Sequence, residues 1–215
     1  MLVKNRTVTG LAALALASGA CLTAGVSVAH ASTTARAATV KCGSNCASLF
    51  NERFGSADVS AVTGSSAVGG PVALAKAAAV PAQDFAVYDL GHVRNFSRLG
   101  LINSTLNGAY GSDEVYEYQY VPARSFSDLC LGVAPGSTAV TLQKCGRTTS
   151  TLWIGDAAAA SGSYTPLISG TDTAAPAAWA LTAAKVGTAF TITKLSKTGA
   201  PSEDQLWQTV SGVTP

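Results

Sequence analysis

Residues 71–85 read PVALAKAAAVPAQDF and residues 139–153 read AVTLQKCGRTTSTLW. Val72, Leu74, Lys76 and Phe85 of the first stretch fall on Val140, Leu142, Lys144 and Trp153 of the second at a constant offset of 68 residues. In both, apolar residues alternate as in a strand with one buried face, and a loop then delivers a large aromatic ring. Such a ring can bury roughly 150–250 Å², so equal spacing to an equal ring marks an equal packing site. Self-similarity of this kind belongs to folds assembled from repeated units. A third aromatic closes the series: Gln83-Asp84-Phe85, Thr151-Leu152-Trp153 and Gln205-Leu206-Trp207 each end on a ring, and the first and third begin with Gln. The strand preceding the third ring reads as 179–181 or as 190–195, so the third unit is looser than the other two.

Outside these copies, short alternating runs at 115–121 and 190–192 are punctuated by Gly, Ser, Thr and Pro, the pattern of a β protein rich in turns. The Ala-rich stretches 75–80 and 157–161 are too short and too closely flanked by turn residues to sustain a helix. One helical candidate stands out over 96–106, where Phe96, Leu99, Ile102 and Leu106 recur at helical spacing and Gly108 follows as a stop.

Cys130-Leu131-Gly132-Val133, then Val140-Thr141-Leu142, Cys145 and Trp153, resemble one repeat of a ricin-type β-trefoil, in which a CLDV stretch, a second cysteine and a QxW follow in that order. With Gln83 to Phe85 and Gln205 to Trp207, the resemblance covers roughly residues 55 to 210. The CGxxC-like start at Cys42, the YEYxY segment and the LCLGV segment are also similar to alanine-rich exported proteins of actinobacteria. The trefoil resemblance implies an all-β fold with three pseudo-repeats and insertions, and often a sugar pocket in each repeat. In sugar-binding repeats the acid of CLDV takes sugar hydroxyls; Gly132 stands in that place here, and the first copy has Ala61. The inherited pockets are therefore expected to be inactive, and a ligand has to use another surface.

The chain has 215 residues with Lys+Arg 14 and Asp+Glu 12. Lys4 and Arg6 precede an apolar run over 11–28, and Ala29-His30-Ala31 supplies the small-any-small pattern of a signal-peptidase site. The reading divides the chain into a signal peptide at 1–31, an extension at 32–54 carrying a cysteine pair, and the trefoil domain at 55–215. Lys4 and Arg6 leave with the leader, so the mature chain is electroneutral. It has no charge to draw it to phosphate or anionic lipid, which argues against nucleic-acid or membrane partners. Cys42, Cys46, Cys130 and Cys145 remain in an oxidising compartment, where an even count suggests two disulfides with three possible pairings. Proximity favours Cys42 with Cys46 and Cys130 with Cys145. The spacings are not CxxC and no histidine cluster accompanies them, so neither a metal nor any other cofactor is expected.

Four of the six tyrosines lie between Tyr110 and Tyr120. In VYEYQYV, alternation sets Tyr116, Tyr118 and Tyr120 on one strand face and Glu117 and Gln119 on the other. An outward stripe would offer flat rings to a sugar or a protein partner; an inward one would support the barrel. Asp89 and His92, the one histidine beyond the leader, could form part of a triad, but no GxSxG elbow accompanies them. Asp113, Glu114, Glu117, Asp128 and Asp156 could supply a glycosidase pair only if two of them stand about 5–9 Å apart. The expectation is a secreted monomer that binds without catalysis, lectin-like, through a non-standard site centred on Tyr116, Tyr118, Tyr120 and Glu117, with a polysaccharide or a secreted or cell-surface protein as partner. The alternatives are a protein-binding or protease-inhibitory trefoil and, third, a small carboxylate-dependent hydrolase.

Overall fold

The computed structural model describes residues 46–78, 80–122, 126–171, 178–195 and 201–211. The expected leader and Cys42 lie outside these residues, as does the side chain of Cys46, and so does the expected pairing of the two cysteines.

Twelve strands follow in chain order among the described residues: β1 Cys46–Asn51, β2 Asp58–Val62, β3 Val72–Lys76, β4 Phe85–His92, β5 Glu114–Tyr120, β6 Leu129–Val133, β7 Val140–Lys144, β8 Trp153–Gly155, β9 Thr165–Ser169, β10 Trp179–Thr182, β11 Thr191–Lys194 and β12 Leu206–Ser211. Six of them close a ring of antiparallel pairs, β1 to β4, β4 to β5, β5 to β8, β8 to β9, β9 to β12, and β12 back to β1. A closed ring leaves its strands no exposed edge. The other six form the hairpins β2–β3, β6–β7 and β10–β11.

Three bridges, Pro71 with Thr141, Ala73 with Ala189 and Ala139 with Thr191, join the hairpins in cyclic order. They place Phe190 level with Val72 and Val140, and so decide the third repeat. β10 is the first strand of its hairpin and β11 the second, with Phe190, Ile192 and Lys194 matching Val140, Leu142 and Lys144. This is the β-trefoil fold that the resemblance to ricin-type repeats implies.

Each signature aromatic follows a 3-10 turn, Pro81–Gln83, Thr149–Thr151 or Glu203–Gln205, and Phe85, Trp153 and Trp207 are all buried in one core cluster inside the barrel. The indole N–H of Trp153 donates to the Leu131 carbonyl (2.9 Å) and that of Trp207 to the Leu181 carbonyl (2.8 Å). Gln83 ties its turn to the end of β3, donating to the Lys76 carbonyl (2.8 Å) and accepting from the Ala78 N–H (2.9 Å). Gln205 does the same to β11 through Thr193 Oγ1 (2.8 Å). The middle repeat has Thr151 in place of Gln, and there Cys130 and Cys145 form a disulfide across β6 and β7, with Cα atoms 5.1 Å apart.

Two expectations change. The barrel begins at β1, inside the segment assigned to an extension, because Leu49 and Asn51 pair with Thr209 and Trp207 and are buried. The helical candidate is two short helices, α1 Val93–Arg98 and α2 Ser104–Tyr110. Gly100, at φ +73°, turns the chain out of α1, and Asn103 caps α2 by accepting the Leu106 N–H at 2.8 Å. Leu99 falls at the break and is 72% exposed. Val93, Phe96, Ile102 and Leu106 join Val115, Leu152, Ile154 and Ile168 in a second core cluster. The opposed pairs show that Val115, Ile154 and Ile168 point away from the barrel axis, so the helices cover the outside of its wall.

Candidate functional site

β4 and β8 leave the hairpin cap at their aromatic ends and run to the far mouth of the barrel, as does β12. Two residues beyond each signature ring, on the same inward face, stand Val87, Gly155 and Thr209. None is large. The mouth holds a cleft of about 440 Å³ lined by these three together with Tyr116, Tyr118, Trp207, Leu167 and Thr165, and rimmed by Ser112, Asp113, Glu114, Ala157 and Ser163. That volume falls in the range of small-molecule sites, roughly 300–1,000 Å³. Gly155 lets the Tyr116 ring come close, since a Cβ there would stand 2.9 Å from Tyr116 Cε2 and the ring would have to shift.

Hydroxyls and carboxylates dominate the polar lining. Tyr118 and Thr209 share a hydrogen bond between their hydroxyls at 2.9 Å, and burial holds the Tyr118 phenol well above its ordinary value. Desolvation first, and then the charge of Asp156, push the Asp113 carboxyl up, against an opposing pull from His92. Glu114 is also raised, by desolvation and by a hydrogen bond and repulsion from Asp89, while His92 and Arg94 act the other way. The Tyr116 phenol is raised by desolvation and by the charges of Asp89 and Glu114. Like charges have thus been brought together where burial already disfavours them.

Only part of the expected stripe reaches the cleft. Tyr116 is half-buried and packs 6.4 Å from the Tyr118 ring. Tyr118 is 1% exposed and Tyr120 3% exposed, so neither presents a flat face to solvent; Tyr120 packs 5.7 Å from Phe85 in the core. Glu117 lies on the opposite face of β5, outside the cleft lining. Its Oε1 accepts from the Arg147 N–H (3.1 Å), the Gly146 N–H (3.4 Å) and the Thr151 hydroxyl (2.8 Å). Arg147 is at φ +55°, an uncommon conformation for a residue with a Cβ, and Glu117 clamps that turn. Asp128 is exposed and away from the mouth. His92 places Nδ1 3.2 Å from Glu114 Oε1, outside hydrogen-bond geometry, and Asp89 accepts the Gly91 N–H rather than orienting the imidazole. Among the described residues no group of three or more His, Cys, Asp or Glu is placed to hold a metal ion.

Register assigns the acid position of the trefoil pockets in all three repeats: Ala61, Gly132 and Thr182. At Gly132 a Cβ would stand 2.7 Å from the Ser150 carbonyl oxygen, so an Asp there requires the backbone of the neighbouring turn to move. Thr182 donates its hydroxyl to the Ala180 carbonyl (2.9 Å) and shares a bond with Thr193 Oγ1 (2.7 Å).

No family model matches this chain, and no curated relative matches it by sequence. Solved structures do. A designed three-fold symmetric protein, ThreeFoil, aligns at a TM-score of 0.53 and 16% identity over 78% of this chain and 99% of its own. A mosquitocidal holotoxin aligns at 0.52 and 12% identity over 78% of this chain, which spans only 17% of the toxin. The β-trefoil lectin of the Vibrio vulnificus hemolysin/cytolysin, solved with N-acetyl-D-lactosamine bound, aligns at 0.47 and 16% identity over 78% of this chain and 94% of its own. The match to the designed trefoil extends over nearly that whole protein, and agrees with the closed ring and cyclic bridges: the chain has a β-trefoil fold.

Proposed function

We propose that the protein is a secreted, non-catalytic carbohydrate-binding protein whose site is the mouth of the barrel. The observation that carries this reading is the cleft of about 440 Å³, which sets Tyr116 beside Thr165, Thr209, Ser112 and Ser163 with two carboxylates at the rim. Sugars offer apolar C–H faces to aromatic rings and hydroxyls to short polar side chains and carboxylates. Ala61, Gly132 and Thr182 bring no acid to the trefoil pockets, which favours the mouth. The leader-like residues 1–31 and the Cys130–Cys145 disulfide support export.

The test is a glycan array followed by calorimetry on the sugars retained. Tyr116→Ala is expected to weaken binding at least tenfold, about 1.4 kcal/mol, with the melting temperature recorded alongside to show that the barrel remains folded. An array on which the folded protein retains no sugar defeats the proposal.

A further inference from the structure

Among the described residues, the ionisable groups with an ordinary pKa below 7 that line the cleft are the carboxyls of Asp113 and Glu114, and no Lys, Arg or His lines it. The surroundings add to the imbalance. Asp89, opposite Tyr116 on β4, repels the charge of Glu114, and Asp156, just past β8, acts on Asp113. Two cationic or potentially cationic side chains stand nearby, His92 at 3.2 Å from Glu114 Oε1 and Arg94, and they leave the Glu114 carboxyl still raised. A neutral polyol needs no such excess of negative charge, because one carboxylate can accept from two hydroxyls. An ammonium group uses it fully: it relieves the repulsion, donates three hydrogen bonds, and is attracted to the face of an adjacent aromatic ring. Tyr116 supplies that ring in the same cavity.

Resting on the proposed sugar site, we infer that its ligand carries a free amine: a 2-amino-2-deoxyhexose, alone or within an oligosaccharide, with its ammonium between Asp113 and Glu114 and its ring against Tyr116. The amine selects among sugars, and the ring and hydroxyls select among amines.

The experiment is calorimetric titration of the purified protein at pH 6.5 and low salt with glucosamine, N-acetylglucosamine, glucose and ethylammonium. Glucosamine is expected to bind at least tenfold tighter than the other three, and its advantage over the acetylated sugar to shrink several-fold at 0.5 M salt. Equal binding of the three sugars overturns the inference and leaves the sugar site standing. Ethylammonium binding as tightly as glucosamine upholds recognition of the amine and overturns the sugar reading. Binding of none of the four overturns both. Glu114→Gln and Asp113→Asn, near-isosteric neutralisations, are each expected to remove most of the preference for glucosamine. The ligand comparison on the unmodified protein decides the matter even if either variant does not fold.

Discussion

Asp113 and Glu114 are placed where their ionised forms are disfavoured, and the effect on stability has a definite sign. A carboxyl whose folded pKa lies above its unfolded one supports the fold below the unfolded value, and that support is lost as pH rises through the folded value. At neutral pH the Asp113 carboxylate therefore opposes folding, chiefly through its desolvation and its repulsion by Asp156. Asp113→Asn is expected to melt higher than the parent at pH 7, with the difference closing as pH falls through the carboxylate range. The group is largely solvent-screened, so the gain is at most about 1 kcal/mol, or about 2–4 °C for a domain of this size. Melting curves at several pH values check it; a variant less stable than the parent at pH 7 would show that the carboxylate is favourably paired. Stability surrendered at a cleft is a common mark of a binding site. Glu117, on the other face of β5, instead accepts from three donors and holds the turn at Arg147 in place.

At the scale of elements, two of the three repeats tie the 3-10 turn to the hairpin before it with a glutamine, and the middle one is stapled differently. Gln83 and Gln205 tie the turn to the end of β3 or β11 by amide hydrogen bonds. The middle repeat has no Gln, and its disulfide holds the two strands of the hairpin together, from β6 to the residue after β7. Closing a loop of 15 residues is worth about 3 kcal/mol in the chain-entropy model. Replacing Cys130 and Cys145 together by Ser is expected to lower unfolding free energy by up to that amount, read as a lower urea midpoint, and an unchanged midpoint would show that the hairpin closes the loop unaided. These units were legible in sequence because alternation and a ring at fixed distance survive insertion. β1 was not, since its inward face is Ala47, Leu49 and Asn51, and the polar Asn51 is fully buried through amide bonds to the Asp204 and Leu206 carbonyls. The pattern over 96–106 gave three core residues correctly, but it placed the exposed Leu99 with them and gave one helix instead of two, because periodicity does not register a break that restarts the same face. Phe96, Ile102 and Leu106 are buried on both sides of that break.

For the molecule as a whole, the cleft proposed as the binding site arises from a difference between the two ends of one barrel. Three-fold packing fills the cap end with Phe85, Trp153 and Trp207, and the next inward positions on the same strands receive Val87, Gly155 and Thr209. Tyr116 was identifiable from sequence as a ligand candidate, but the cavity beside it was not, because it is created by side chains too small to meet across the axis. A void open to solvent can accept added bulk without the strain that enlarging a close-packed core residue brings. Val87→Phe is therefore expected to occupy the mouth, to leave the denaturation midpoint unchanged or raised, and to weaken sugar binding at least tenfold. The mirror experiment at the cap, Phe85→Ala, removes a fully buried ring and is the destabilising control, at about 3–5 kcal/mol. Should Val87→Phe fold normally and still bind sugar with parental affinity, the ligand sits elsewhere on the surface, and the asymmetry between the barrel ends would concern packing alone.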